Sequence, residues 1–237
     1  MINIAKRAAK LALDEVVVPL CGYVSGKLPS TSVTRELERR TAAECADYVQ
    51  EHMPKALQFD RKRDLWAHVL GKVGSAGLVG EFGVWKGASI NAIAARLAPR
   101  TVHGFDSFQG LKEDWAGWKE PKGRFSLEGR LPKVMPNVRL VPGWYDETLP
   151  RFLRENGARF DFVHLDSDTY ESTRLVLELI ADRITPGTVI VFDEYLGYRG
   201  WRIGEFKAWQ EFVQARGRKY EYLAFTNDAV ALRVVAQ

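Results

Sequence analysis

Cysteine and histidine are scarce in this chain. Its 237 residues include two cysteines, Cys21 and Cys45, and four histidines. One possible cysteine pair is too few for the disulfide framework of a small secreted protein, so we expect both thiols to be reduced. The histidines show no metal-ligand spacing, and His164, in the middle of an apolar run, is interpreted as a packed core residue. The sequence therefore excludes a disulfide scaffold.

Charge of one sign and long apolar runs are also missing. The 34 basic and 30 acidic residues leave a net charge of only +4. The basic residues are scattered, and the two clusters at 61–63 and 216–219 are interpreted as solvated helix ends, which is unlike a nucleic-acid-binding face. No run could span a membrane, and Asp14 and Glu15 interrupt any signal-peptide core. We expect a cytoplasmic protein that binds neither nucleic acid nor membrane; an amphipathic surface helix at residues 1–13 is the alternative.

Apolar runs and helical stretches alternate from Leu78 to the end of the chain. This alternation predicts an α/β fold with a doubly wound, mostly parallel sheet. The last two runs are joined only by a short turn around Asn227 and Asp228, so they must form an antiparallel hairpin. The seven predicted strands are Leu78–Val84, Thr101–Phe105, Val138–Val141, Phe160–Asp166, Thr188–Asp193, Tyr220–Phe225 and Ala229–Val235.

The first 73 residues are predicted to form an N-terminal helical cap on the domain at 74–237, within one compact unit. A capping box of Thr41 and Glu44 predicts that a helix starts there. Residues 109–135 fit no element and are rich in aromatic residues. This connection is a candidate lid, and the alternative is a surface loop whose tryptophans pack on the body of the protein.

Two glycines mark the turn after the first predicted strand. Gly83 and Gly87, in LVGEFGVWKGAS, allow the backbone to approach a ligand, and the next helix directs its free N–H groups there. Asp106, at the end of the following strand, offers a carboxylate to a ribose diol. Because only Gly83 and Gly87 remain of a G-x-G-x-x-G pattern, and bulky Trp85 lies between them, a pyrophosphate is disfavoured. An adenosine whose amino-acid end lies near Glu81, as in S-adenosylmethionine, fits better; an ordinary glycine-rich turn is the alternative.

Four acids follow two later strands. HLDSDTYEST places Asp166 and Asp168 after one strand, and TVIVFDEY places Asp193 and Glu194 after another. The carboxyl ends of parallel strands meet at one edge of the sheet, where ligands bind. Four carboxylates there would repel one another unless a cation such as Mg²⁺ neutralised them. For any single acid the alternative is a helix cap or a solvated strand end.

Several of these motifs together resemble the macrocin O-methyltransferase (TylF-like) family. They are EFGVWKGASINAIA, GFDSFQGL, VPGWYDETLP, HLDSDTYEST and PGTVIVFDEY, and the similarity covers about residues 78–212. Members are metal-dependent class I S-adenosylmethionine enzymes, with a Rossmann-like fold, that methylate sugar hydroxyls of natural products. The chain departs from the pattern in two places: Asp193-Glu194 stands where two aspartates are expected, and DSD replaces the commoner DGD.

The resemblance implies a role for each matching residue. The methionine part of the cofactor would lie at Glu81, Gly83 and Gly87, the ribose at Asp106, and the adenine at Gly143 and Trp144. The metal ligands would be Asp166, Asp193 and Glu194, and Asp168 would be the general base beside Asp166. The full predicted cofactor set is Glu81, Gly83, Gly87, Ser89, Asp106, Ser107, Gly143 and Trp144.

The predicted function is O-methylation of a small hydroxylated molecule, a sugar or a phenol, by a homodimer that uses S-adenosylmethionine and Mg²⁺. The acceptor could stack on Trp115, Trp118, Tyr195, Tyr198 or Trp201. One alternative is a nucleotide-sugar glycosyltransferase, since Asp166-Ser167-Asp168 is also a D-x-D metal motif, but it leaves Gly83 and Asp106 without a role. A non-catalytic binding protein on a methyltransferase scaffold is the other alternative.

Overall fold

The structure is a computed structural model that describes residues 32–118 and 120–236. The predictions about residues 1–13 and Cys21 lie outside these ranges. Residues 41–237 form one compact unit and the residues up to Arg40 another. Cys45 is a free, buried thiol. Within the described ranges no helix is both long and apolar enough to cross a membrane.

Helices and strands alternate along the chain as the sequence predicts. The helices are α1 (Val33–His52), α2 (Lys62–Leu70), α3 (Ala88–Leu97), α4 (Tyr145–Glu155), α5 (Tyr170–Leu179) and α6 (Glu205–Arg216). The strands are β1 (Leu57–Gln58), β2 (Leu78–Phe82), β3 (Val102–Asp106), β4 (Val138–Pro142), β5 (Phe160–Leu165), β6 (Val189–Phe192), β7 (Lys219–Phe225) and β8 (Val230–Val235). Two short 3₁₀ helices, Ala181–Arg183 and Trp201–Ile203, complete these elements.

The strands form one sheet in the order β1-β7-β8-β6-β5-β2-β3-β4. Only β8 is antiparallel to its neighbours, which confirms the mostly parallel sheet with a final hairpin. The predicted number of seven strands is wrong, because Leu57 and Gln58 add an eighth strand, parallel to β7. Two exposed residues carry no hydrophobic pattern, and they pair because β7 leaves backbone groups free at its edge.

Both faces of the sheet are covered. In β6, Val189 and Val191 pack into the hydrophobic cluster on one face, and Ile190 and Phe192 pack into the cluster on the other. Successive side chains of a strand point to opposite faces. A strand buried on both sides must be apolar throughout, which is why β6 is a continuous apolar run.

The predicted start of the first helix is wrong. Thr41 lies inside α1, which begins at Val33 and continues to His52. No glycine or proline interrupts the chain between Val33 and Thr41, so nothing ends the helix before the predicted cap. Glu44 makes no capping box and instead accepts hydrogen bonds from Trp201 and Arg202.

Candidate active site

A cavity of about 370 Å³ opens at the carboxyl ends of the central strands. The last residues of β2, β5 and β6, namely Phe82, Leu165 and Phe192, are paired in register. The residues that follow them are held by the neighbouring strand, since Asp166 N donates to Phe82 O at 2.9 Å and Asp193 N donates to Leu165 O at 2.9 Å. This register brings distant sequence motifs to one edge of the sheet, where α/β proteins bind ligands.

Asp106 organises the turn after β2. Its Oδ2 accepts hydrogen bonds from the backbone N–H groups of Val84 and Trp85, both at 2.8 Å, and its Oδ1 accepts one from Phe108 N at 2.7 Å. A carboxylate has about four lone-pair positions. Asp106 therefore holds the turn and still has capacity for one more donor from the cavity, which it lines.

Gly83 is required at its position because of the protein's own backbone. Its φ is +96°, and a Cβ there would lie 1.7 Å from the carbonyl oxygen of Asp166. Gly87, with a φ of +82°, is the N-cap of α3. The close approach of Gly83 is therefore to the protein's own chain at the end of β5, whereas Gly87 has only ordinary contacts, the nearest with Val134.

The predicted cofactor residues fall into two groups. Five of them line the cavity: Gly83, Asp106, Ser107, Gly143 and Trp144. Glu81, Gly87 and Ser89 do not. Glu81 is fully buried, and its Oε1 accepts a hydrogen bond of 2.5 Å from Ser89 Oγ. Glu81 and Ser89 therefore support the turn from beneath it, because the side chain of Glu81 points into the interior.

The four strand-end acids all line the cavity. One carboxylate oxygen each from Asp166, Asp168 and Glu194 lies within 4.8 Å of the others. Burial and the charge of Asp193 raise the pKa values of Asp166 and Glu194 well above their usual range. The same causes raise the pKa of Asp168 to about 7, and this residue adopts the left-handed conformation, with a φ of 63°. Residues with such a strained backbone conformation are found preferentially at functional sites.

Asp193 differs from the other three acids because it has two cationic partners, one on each oxygen, whereas Glu194 has only a 3.5 Å ion pair with Lys62. Its Oδ2 lies 2.6 Å from Lys62 Nζ, and its Oδ1 lies 3.3 Å from His164 Nε2. Although burial raises the pKa of Asp193, these two partners hold it below its usual range. Of the predicted metal ligands, Asp166 and Glu194 thus each have an oxygen in the group of three neighbouring acids. The two oxygens of Asp193 instead lie close to Lys62 and His164.

His164 is fully buried, as a core histidine should be, but its two acidic neighbours favour the charged imidazolium. Burial lowers its pKa, whereas Asp193 and Glu81 raise it more strongly, to about 10. Glu81 Oε2 lies 3.8 Å from His164 Nδ1, too far for a hydrogen bond but close enough for charge attraction. Nothing local in the sequence predicts this imidazolium, because its partners belong to β2 and to the end of β6.

Two site residues are missing from the sequence predictions. Lys62, which was interpreted as part of a solvated helix end, reaches the acids from the first position of α2. Glu205, the first residue of α6, is fully buried; its Oε2 accepts a hydrogen bond from Glu194 N at 3.0 Å, and burial raises its pKa to about 8. Glu205 stands where an acid is common, at the start of a helix, and Lys62 lies within a run of basic residues, so neither position carries a distinctive signal.

Only some of the aromatic residues proposed to contact an acceptor line the cavity. Trp115 and Trp118 line the cavity and stack on each other with ring centroids 5.4 Å apart. Tyr195 and Trp201 are fully buried in the core and do not line the cavity. Tyr198, which packs against Trp118, does not line the cavity either. The cavity is instead completed by Trp85, Phe125 and Trp144.

The connection between β3 and β4 has features of both a lid and a surface loop, its two interpretations from the sequence. Its described residues form no helix or strand, and Trp115 packs in the interior as a surface loop's tryptophan would. Yet Gly110, Leu111, Lys112 and Phe125 from the same connection line the cavity. Movement of this segment as a lid stays a prediction.

Residues 81–195 match the family described as a methyltransferase domain. A 4'-O-methyltransferase of 8-demethyl-8-(2,3-dimethoxy-alpha-L-rhamnosyl)-tetracenomycin-C from Streptomyces olivaceus is 32% identical over 48% of this chain and 51% of its own length. The mycinamicin III 3''-O-methyltransferase of Micromonospora griseorubida is 29% identical over 52% of this chain and 56% of its own. The chain thus spans about half the length of the curated relatives it matches.

Solved structures share the fold. The calicheamicin methyltransferase CalS11 aligns with a TM-score of 0.58 and 24% identity, over 87% of this chain and 94% of that one. The O-methyltransferase NovP aligns with a TM-score of 0.54 and 23% identity, over 73% and 78%. The fold is therefore that of the class I methyltransferases. Membership in the macrocin subgroup stays a prediction, since the matched family is broader.

Proposed function

We propose that this chain, which carries a methyltransferase domain, is an S-adenosylmethionine-dependent O-methyltransferase of small hydroxylated molecules. The observation that carries the proposal is one cavity bounded on one side by the Gly83 turn with Asp106 and on the other by the strand-end acids. The first side suits an adenosine and the second a hydroxyl that must lose a proton. The glycosyltransferase alternative is not favoured, because it explains neither the turn nor the family match.

The cofactor would occupy the side of the cavity at β2, β3 and β4. Asp106 would accept a ribose hydroxyl with its remaining capacity, and the indole of Trp144 would cover the adenine. Gly143, with a φ of +133°, lies close to the first turns of α4. A Cβ at this position would lie 2.6 Å from Thr148 Cγ2. Glu81 and Ser89 would fix the turn that carries the methionine end.

The acids fit a hard divalent cation. Glu194 Oε2 is buried without a hydrogen-bond partner, and one oxygen of Glu194 lies within 4.8 Å of oxygens of Asp166 and Asp168. Carboxylate oxygens are the ligands that Mg²⁺ takes, and an excess of buried carboxylates calls for a positive charge. Asp166 and Glu194 would hold it, with Asp193 as the third predicted ligand. When bound, the ion would lower the pKa of an acceptor hydroxyl.

Asp168 would act as the general base. With a pKa raised to about 7 by burial and by Asp193, it can take up a proton near neutral pH. The acceptor oxygen attacks the methyl carbon in line with the sulfonium sulfur, the carbon–sulfur bond breaks, and the hydroxyl proton goes to Asp168. The products are the methyl ether and S-adenosylhomocysteine. General-base assistance of this kind is worth ~10²- to 10⁴-fold in rate.

The acceptor class follows from the chemistry of the cavity. Adjacent hydroxyls of a sugar or a catechol suit a cation held by carboxylates, and Trp115 and Trp118 offer flat faces for either ring. Without a bound cation, Asp166, Asp168 and Glu194 would repel the phosphates of a nucleic acid, and the scattered basic residues offer no concentrated face to bind them. The names of two relatives, for a rhamnosyl-tetracenomycin and for mycinamicin, favour a glycosylated natural product.

The proposal is tested with Asp168→Asn. Calorimetry should show that the variant binds S-adenosylmethionine as the wild type does, because Asp168 lies on the acceptor side. Transfer of a labelled methyl group to a panel of glycosides and catechols should fall ~10²- to 10⁴-fold. Asp182→Asn, a surface change, is the matched control and should leave transfer unchanged. Binding of a UDP-sugar in place of S-adenosylmethionine would contradict the proposal.

Two further predictions from the sequence concern the whole protein. We propose that the protein is a homodimer. We also propose that it lies in the cytoplasm, in line with its content of only two cysteines and with the free thiol of Cys45. Light scattering coupled to gel filtration measures the oligomeric state, and cell fractionation tests the compartment.

A further inference from the structure

Lys62 reaches into the acid cluster from outside the matched domain. It is the first residue of α2, and its Nζ lies 2.6 Å from Asp193, 3.0 Å from Asp228 and 3.5 Å from Glu194. Its side chain is 26% exposed, whereas those of Arg61 and Arg63 are 59% and 61% exposed and face Asp64. The middle residue of this basic run therefore has an environment of its own.

The helix itself does not favour a lysine at this position. The first turn of a helix carries a partial positive charge, which stabilises acids and opposes cations. Three carboxylates from two separate segments hold the ammonium of Lys62 there: the end of β6 provides Asp193 and Glu194, and the β7–β8 turn provides Asp228.

Lys62 shares its acids with the proposed metal position. Glu194 directs Oε1 to Lys62, and its Oε2 is the buried oxygen without a partner. Asp193 has one oxygen on Lys62 and the other on His164. A divalent cation that recruited both acids would meet an ammonium bound to each of them, and two cations at one pair of carboxylates repel each other.

We propose that Lys62 is a tethered cation that competes with a divalent metal ion for Asp193 and Glu194; this inference rests on the metal site of the proposed function. Without metal, the ammonium neutralises the acid pair and holds it in place. When metal binds, the ammonium moves away and keeps only Asp228, whose side chain is 43% exposed. Lys62 thereby weakens metal binding.

Direct metal binding tests the competition. Mn²⁺ binding is measured by electron paramagnetic resonance on the whole chain without cofactor, for wild type and Lys62→Met. Removal of the charge should tighten Mn²⁺ binding by about tenfold or more. Lys62→Arg, which keeps the charge, and Arg63→Met, which removes a neighbouring exposed charge, should bind as the wild type does. Equal or weaker binding by a folded Lys62→Met protein overturns the inference.

A second measurement uses the wild-type protein and does not depend on the folding of a variant. Acylation of lysines by an amine-reactive reagent is followed by mass spectrometry with and without Mg²⁺. Displacement from two carboxylates should make Lys62 react several-fold faster when Mg²⁺ is present, while exposed Lys72 reacts at the same rate in both. An unchanged Lys62 rate at saturating Mg²⁺ contradicts the displacement.

The outcomes separate this inference from the proposed function. If wild type and Lys62→Met bind Mn²⁺ equally, the metal site stands and the tethered cation fails. If neither protein binds Mn²⁺, both the inference and the metal dependence fail. Binding of S-adenosylmethionine is measured independently by calorimetry and bears only on the methyltransferase proposal.

Discussion

His164 shows how one buried side chain can carry the charge balance of a site. It stands between Glu81 and Asp193, and these acids raise its pKa to about 10 against the effect of burial. A buried acid without a cation would have to be protonated or solvated, at a cost of several kcal/mol. The imidazolium thus lets Asp193 remain charged next to the cavity.

We predict that His164→Gln destabilises the protein by ~3–5 kcal/mol near pH 6, since it removes the buried cation between Glu81 and Asp193, which then keep only Ser89 and Lys62 as partners. The pKa in the folded state, about 10, exceeds the value of 6.5 expected without the acids, so the proton bound by His164 stabilises the folded state. This contribution is complete below pH 6.5 and is lost as the pH rises through 10.

Urea unfolding of both proteins at pH 6, 8 and 10 measures the difference. The deficit of His164→Gln should shrink steadily toward the highest pH. His52→Gln, at a largely exposed position, is the control and should show a small deficit at every pH. A deficit that does not change with pH would mean that His164 is neutral in the folded protein.

The turn between β2 and α3 is the element that joins the two sides of the cavity. Asp106 holds its N–H groups, and Gly83 rests against the carbonyl oxygen of Asp166. Asp166, which follows β5 and supplies a strand-end acid, therefore also sets the position of the cofactor turn. A displacement of either side is transmitted to the other through this contact.

Gly83→Ala and Gly187→Ala form a matched pair, because both glycines have a φ of +96°. At Gly187 no heavy atom lies within 4 Å of an added Cβ, so only backbone strain of ~1–2 kcal/mol is expected. At Gly83 the Cβ would collide with Asp166, so we predict a larger loss of stability together with loss of S-adenosylmethionine binding.

Thermal unfolding and calorimetry with S-adenosylmethionine measure the two effects. Gly187→Ala should bind the cofactor normally in spite of its strain. Normal cofactor binding by Gly83→Ala would show that the contact between the turn and β5 is not needed for the site.

In the whole molecule, a second buried charge network lies at the end of the strands opposite the cavity. At the amino end of β5, Asp161 is buried and accepts hydrogen bonds from Gly77 N at 2.6 Å and from Arg100 at 2.7 Å. Arg100 also donates to the carbonyl groups of Gly74 and Gly77. This network ties the segment before β2 to the end of α3, far along the strands from the cavity.

We predict that Asp161→Asn lowers the free energy of unfolding by ~3 kcal/mol, because Arg100 loses its counter-charge in a largely buried position. Methyl transfer at a temperature where the variant is folded should match the wild type. Arg159→Ala removes the exposed partner of the same acid and should cost at most ~1 kcal/mol. Reduced transfer by folded Asp161→Asn would contradict the separation of the two ends.

The sequence by itself determined the parallel sheet, the final hairpin, the Gly83 turn and the acids at the strand ends. These are local patterns: an apolar run such as β6 and the acids Asp193 and Glu194 that follow it are adjacent in the chain, and parallel strands bring their carboxyl ends together in any such fold. The broader methyltransferase assignment depended on the same local motifs and agrees with the family match.

Only the tertiary structure decided which charges meet. Lys62 and Asp193 are 131 positions apart, and no pattern around either residue indicates the other. The sequence predicted a metal ion as the partner of Asp193, whereas the structure pairs it with Lys62 and His164. Glu81 was predicted at the cofactor but points into the interior, because the side-chain direction at the end of a strand depends on register and packing rather than on composition.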